Sequence, residues 1–132
     1  MDDPPEDLMI QIVLLYVGAA LTSSWGIAHL FPTKSVVEGF GEITLDNRRI
    51  ITMEWIVEGV SLIFMGLLVA AVTFIDPLSA VSKVVYGLSI VALVALVLVS
   101  VFTGFKVNFI PFKLCPFIFT ASAVLIFVSG LL

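Results

Sequence analysis

Read for its apolar and polar positions, the chain falls into four long hydrophobic runs with polar breaks between them. The runs occupy roughly residues 8–31, 50–75, 84–105 and 114–132. Each approaches or exceeds the ~20 residues that a helix needs to cross the hydrocarbon of a bilayer. A backbone placed there finds no water to bond, so each run is expected to be α-helical. The breaks at Asp76-Pro77 and at residues 108–111 are short, and short connections force neighbouring helices to run in opposite directions. The pattern predicts an all-α protein: an integral membrane antiparallel four-helix bundle with up-down topology, forming one domain over residues 1–132. The first run reads as a span and not as a cleavable leader. Acids precede it, no basic stretch does, and it is longer than a leader's apolar core.

Only the first connection is long, covering residues 32–49. Within it Val36, Val37, Phe40 and Ile43 recur near helical spacing, with Lys34, Glu38 and Glu42 elsewhere. That pattern fits an amphipathic helix lying in the membrane interface. Gly39 and Gly41 weaken such a helix by about 1 kcal/mol each, so a partly ordered loop is the competing expectation. Asp46 stands where it would cap the second span.

Composition reinforces the membrane reading. Hydrophobic residues make up 61% of the chain and charged residues 12%, against about 45–50% and about 25% in a soluble domain. A chain of 132 residues has too little interior to hide that much apolar surface. A soluble globular enzyme, a disordered chain and a nucleic-acid binder are thereby excluded. The net charge of −4 is a property of one end. Asp2, Asp3, Glu6 and Asp7 lie in an acidic tail over residues 1–7, which Pro4 and Pro5 are expected to keep non-helical. Cys115 is the only cysteine, so no internal disulfide forms.

The basic residues set the orientation. Lys34, Arg48 and Arg49 lie in the first loop, Lys106 and Lys113 flank the third, and Lys83 alone falls on the opposite side. The positive-inside rule then makes the 32–49 loop cytoplasmic and puts both termini outside the cell membrane. Trp25 and Trp55 sit toward the cytoplasmic ends of their helices, as an aromatic belt requires.

Ionisable groups within a span are expensive and are functional candidates by default. Glu54 and Glu58 lie four residues apart on the second helix and share a face that Ser61 and Met65 continue. On the first helix Gly18, Thr22, Gly26 and His29 form a small and polar stripe. Counted at 1.5 Å per residue, Glu54 lies about 6 Å and Glu58 about 12 Å in from Ile50, and His29 about 4–5 Å in from Pro32. Antiparallel neighbours then place His29 at the level of Glu54 and Trp25 at that of Glu58. The expected site is a buried cluster of His29, Glu54 and Glu58 near the cytoplasmic side, with Trp25 beside it and Ser23, Ser24 and Ser61 lending hydrogen bonds. The bland alternative has Glu54 snorkelling to water or pairing with Arg48, Arg49, Lys106 or Lys113. Glu58 resists that reading because its carboxylate sits deeper. A metal site would need a second histidine or an E-x-x-H pattern, and neither is present. Gly59, Gly66, Gly87, Thr120, Ala123 and Gly130 read as close helix contacts and not as ligand contacts.

Two stretches resemble the DoxX-like group of small four-helix membrane proteins. One is Gly-Ile-Ala-His-Leu-Phe-Pro at residues 26–32; the other is Glu-Gly-Val-Ser-Leu-Ile-Phe-Met-Gly-Leu-Leu at residues 58–68. The resemblance covers the first half of the chain. It implies the four-helix architecture and, for the group, varied roles that include subunits of quinone-linked complexes. The long first loop and the Glu54/Glu58 pair have no match in that pattern.

Three functions are open on these residues. The favoured one is a non-enzymatic bundle, in the lipid bilayer as a homo-oligomer or in a larger membrane complex, that binds a hydrophobic ligand (lipid or quinone) through Glu58, Glu54, His29, Trp25 and Ser61. A small membrane enzyme would use His29, Glu54 and Glu58 as acid–base or metal groups. An oligomeric proton-coupled transporter would need Glu58 at the interface between chains.

Overall fold

A computed structural model describes residues 5–132. The chain forms α1 (Glu6–Leu30), α2 (Thr33–Glu38), α3 (Leu45–Ile75), α4 (Ala80–Phe102), a single 3-10 turn (Gly104–Lys106) and α5 (Ile110–Gly130). Among the described residues no strand forms. The four longer helices are each long and apolar enough to cross a membrane.

Local chemistry explains the boundaries and several departures from expectation. α1 begins at Glu6, so Glu6 and Asp7 belong to its first turn, where carboxylates complement the positive end of the helix. The part of the tail at Asp2, Asp3 and Pro4 lies outside the described residues. α3 begins at Leu45 rather than Ile50, because Thr44 is the cap: its Oγ1 accepts the Asn47 N–H at 3.2 Å. Asp46 therefore sits in the first turn and is not the cap. Asp76 is extended, as the residue before Pro77 must be, and its Oδ1 accepts the Leu78 N–H at 3.0 Å. Ser79 then caps α4 through the Ser82 N–H at 3.1 Å. In the first connection, helix and loop share the segment. α2 stops at Glu38, and Gly41 turns the chain with φ +72, a left-handed conformation that a side chain disfavours.

One periodicity governs what each long helix buries. On α1 the buried positions include Leu15, Ala19, Thr22, Gly26 and His29; on α3 they include Trp55, Gly59, Leu62, Gly66, Val69 and Thr73. On α4 they are Ser82, Tyr86, Ser89 and Leu93, and on α5 they include Cys115, Phe119, Ser122, Ile126 and Ser129. Steps of four and three alternate throughout, which is the heptad of helices packed knobs into holes. Many of these positions are Gly, Ser or Thr. Where the outer faces meet an apolar medium, burial of large side chains adds little, and close approach of backbones does the work of association.

The closest approach is between α1 and α3. A Cβ on Gly26 would lie 2.6 Å from the Gly59 carbonyl oxygen and 2.8 Å from the Ile63 nitrogen. A Cβ on Gly66 would lie 2.5 Å from the Ala19 carbonyl oxygen. Gly87, by contrast, faces open space and is no contact residue. α5 packs against both α1 and α4, whereas α3 and α4 share fewer contacts. Contacts between α3 and α4 include Ser82 Oγ donating to the Val72 carbonyl at 3.2 Å and Thr73 Oγ1 bonded to Tyr86 Oη at 2.8 Å.

The fit at Gly26 generates a test. Gly26→Ala is expected to cost about 1–3 kcal/mol, since backbone cannot yield as a side-chain tip can. Gly87→Ala is expected to be neutral or to stabilise by up to ~1 kcal/mol through helix propensity. Unfolding in mixed micelles by denaturing detergent measures both, and equal effects would overturn the packing account.

Candidate functional site

The site is built where α1 ends and α3 begins. The last carbonyls of a helix lack partners within it, and the His29 carbonyl in the last turn of α1 is one of these. Trp55, the first residue of the α3 stripe, supplies the missing donor: its indole N–H reaches the His29 oxygen at 2.6 Å. The same indole stacks on the imidazole, with ring centroids 3.9 Å apart and planes inclined by 16°. Phe112 of α5 meets Trp55 edge-on at 5.4 Å. Trp55 thus holds His29 twice, by its backbone and by its ring face. His29 is 7% exposed.

Held in this way, His29 presents Nε2 to Glu58 Oε2 at 3.3 Å. The approach is close but off the line of a good hydrogen bond, and Nε2 has no aligned partner. The Glu58 side chain is 38% exposed, so it is less enclosed than its position along the helix implied. A carboxylate beside Nε2 favours the tautomer that carries its proton there. An exposed carboxylate contributes little to stability, at most ~1 kcal/mol.

The expected cluster divides in two. Glu54, Glu58 and Ser61 line an open groove of about 580 Å³ between α2, α3, α4 and α5, walled by Leu62, Met65, Leu96 and Phe112. His29 and Trp25 line a separate recess of about 220 Å³ between α1 and α5. Trp55 and Phe112 border both spaces and form the wall between them. His29 meets Glu58 and not Glu54, one helical turn from the expected register. Glu54 is exposed and makes no ion pair among the described residues. Lys34 is instead 3.9 Å from Glu38, and Arg49 3.8 Å from Asp46. Ser23 faces the Ile63 carbonyl at 3.4 Å, Ser24 is exposed, and neither serves the His29–Glu58 pair.

Trp55 and Phe112 are the residues that sequence reasoning undervalued. From sequence Trp55 reads as an aromatic-belt residue, yet it opens the Trp55-Gly59-Leu62-Gly66 stripe, and that spacing marks it as inward-facing. Nothing local marks Phe112, which reaches Trp55 from another helix. No protein-family model, curated protein or solved structure matches this chain.

Trp55→Phe keeps the ring and removes the N–H, leaving the His29 carbonyl without its donor. It is expected to cost about 1–3 kcal/mol, whereas Glu58→Gln should change stability by no more than ~1 kcal/mol. Thermal unfolding in detergent measures both, and the reverse order would show that the His29–Glu58 pair, not Trp55, holds the site.

Proposed function

We propose that the chain is a small multi-pass protein of the cell membrane, an antiparallel up-down bundle that binds a hydrophobic ligand in the groove beside Glu58. The single observation that carries this reading is an open, largely apolar groove of about 580 Å³ with two carboxylates on one wall. The antiparallel reading is supported by the order of contacts along α1 and α3: His29 with Trp55, Gly26 with Gly59, Ala19 with Gly66. The DoxX-like resemblance adds the same architecture, since its two stretches carry His29 and Glu58.

The groove's chemistry narrows the ligand. Ionised Glu54 and Glu58 only accept hydrogen bonds, and they repel anionic heads. Of the two expected ligand classes, a quinone offers carbonyls and no donor. A lipid with a hydroxyl or ammonium head offers what the groove wants, with its acyl chain lying along Leu62, Met65 and Leu96. Binding and not catalysis is the reading the groove supports best. The acid–base alternative has the 3.3 Å approach of His29 to Glu58 in its favour and predicts turnover in addition to retention.

Orientation follows the same ends. Leu8, Leu78, Lys83 and Ser129 surround one small cavity, which gathers the start of α1, the end of α5 and the 76–79 connection. The opposite end carries Lys34, Arg48, Arg49, Lys106 and Lys113 and is assigned to the cytoplasm.

Native mass spectrometry of the protein released from detergent is expected to show one retained lipid per chain with a donor-bearing head. Glu58→Gln should lose it at unchanged helicity, and equal retention would overturn the groove assignment. With Cys115 replaced by serine, an impermeant maleimide on whole cells should label Lys83→Cys and spare Lys34→Cys; the opposite pattern would invert the topology.

A further inference from the structure

The recess behind the Trp55–Phe112 wall has a hydrogen-bonding sense opposite to that of the groove. Its volume is about 220 Å³, and an apolar protein cavity of roughly 150 Å³ already accommodates a benzene ring. Its walls are flat and hydrophobic: the indoles of Trp25 and Trp55, the Phe112 ring, and Pro32 and Pro111. No lysine, arginine or carboxylate lines it.

Two residues lining it carry a buried polar atom with no hydrogen-bond partner: His29, whose Nε2 faces Glu58 at 3.3 Å, and Trp25. The Trp25 indole Nε1 is buried and has no aligned hydrogen-bond partner. Its one neighbouring acceptor is the Cys115 thiol, and sulfur is a weak acceptor that leaves the N–H without a well-aligned partner. The thiol itself is directed to the Pro111 carbonyl at 3.4 Å. A buried donor without an acceptor is disfavoured, and a ligand that brings an acceptor removes the penalty. The acceptor must be uncharged. An anion would enter a recess without a cation and would sit near Glu58, which stands on the far side of His29. A cation would meet an N–H and no acceptor of its own.

We infer that this recess is a second ligand site, separate from the groove, which takes a flat, neutral ring bearing a carbonyl. The ring lies among Trp25, Trp55 and Phe112, and its carbonyl oxygen accepts the Trp25 N–H. Ala28 and Leu114, which line the recess and are themselves exposed, mark where a substituent on the ring leaves between α1 and α5 toward lipid. The groove's carboxylates ask for a donor and this recess asks for an acceptor, so the two sites select different molecules.

Intrinsic fluorescence tests the inference directly, because the chain's two tryptophans both line the recess. The probe is a decyl-substituted benzoquinone added to the full-length protein in detergent, with decylbenzene as the carbonyl-free competitor. The expected result is saturable quenching at one quinone per chain, with no displacement by a tenfold excess of decylbenzene. Trp25→Phe keeps the ring and leaves Trp55 as reporter, and should weaken the quinone at least tenfold. Glu58→Gln should leave quinone affinity unchanged while the groove lipid is lost, which separates failure of this inference from failure of the groove reading. Quenching that rises linearly and equally in native and Trp25→Phe protein would mean mere partition into the micelle and would overturn the site. Displacement by decylbenzene, or equal saturable affinity in Trp25→Phe, would overturn the role of the carbonyl and the N–H. Loss of quinone binding in Glu58→Gln alone would place the ring in the groove and overturn the recess. Should Trp25→Phe fail to fold, the quinone-against-decylbenzene comparison on the native protein decides the matter unaided.

Discussion

Backbone contact between α1 and α3 fixes everything that follows at the site. Gly26 lies against the Gly59 carbonyl and the Ile63 nitrogen, and Gly66 against the Ala19 carbonyl. The glycines add no side chain of their own at these crossings, and Ser23, Ile63 and Leu30 fill the space against them, so neither helix can slide without a clash. Interiors packed at this density have discrete arrangements and do not deform smoothly. The register set by the glycines is the register that brings Trp55 to the His29 carbonyl and Glu58 to the imidazole. A chemically promising pair is thus a consequence of residues that carry no chemistry.

The second organising feature is a wall. Trp55, stacked on His29 and met edge-on by Phe112, divides the space near this end of the helices into a groove and a recess. The groove exists because α3 and α4 share few contacts, whereas α1 and α3 are held together along their stripes. Its charged groups are carboxylates, and the recess is lined by Trp25 and His29, whose Nε1 and Nε2 have no hydrogen-bond partner. His29 touches both spaces: it lines the recess and reaches across to Glu58. Polar groups in an apolar medium are costly unless partnered, and the two spaces differ in which of them they leave open.

Legibility varied by residue. Glu58 and His29 stood out because ionisable groups in apolar runs are rare, and the structure does bring them together. Glu54 stood out for the same reason, yet it lies on the wall of the open groove, exposed and apart from the imidazole. The depth count that pairs His29 with Glu54 sets Pro32 level with Ile50, whereas the contacts of Gly26 with Gly59 and Ala19 with Gly66 shift that register by about one turn and bring Glu58 to the imidazole. The start of α3 also differs, because Thr44, not Asp46, caps it. A hydroxyl and a carboxylate both make good caps, so composition alone did not choose between them. Gly87 looked like a contact residue and faces open space. A glycine permits close approach without requiring it; only the partner helix decides.

The sequence by itself determined that there are four helices long and apolar enough to cross a membrane, and that the basic residues gather toward one end. Those properties are sums over neighbours in the chain, and hydropathy, helix length and loop charge can be added up without knowing what touches what. It also held the alternating four-three stripe that names the inward face of each helix, including Trp55. Only the tertiary structure decided which stripe meets which, which acid reaches the imidazole, and that a tryptophan and a phenylalanine from different helices wall off two spaces. Those outcomes turn on contacts between residues far apart in the chain, at distances of about an atom's width, where shifting one helix by one turn changes every partner.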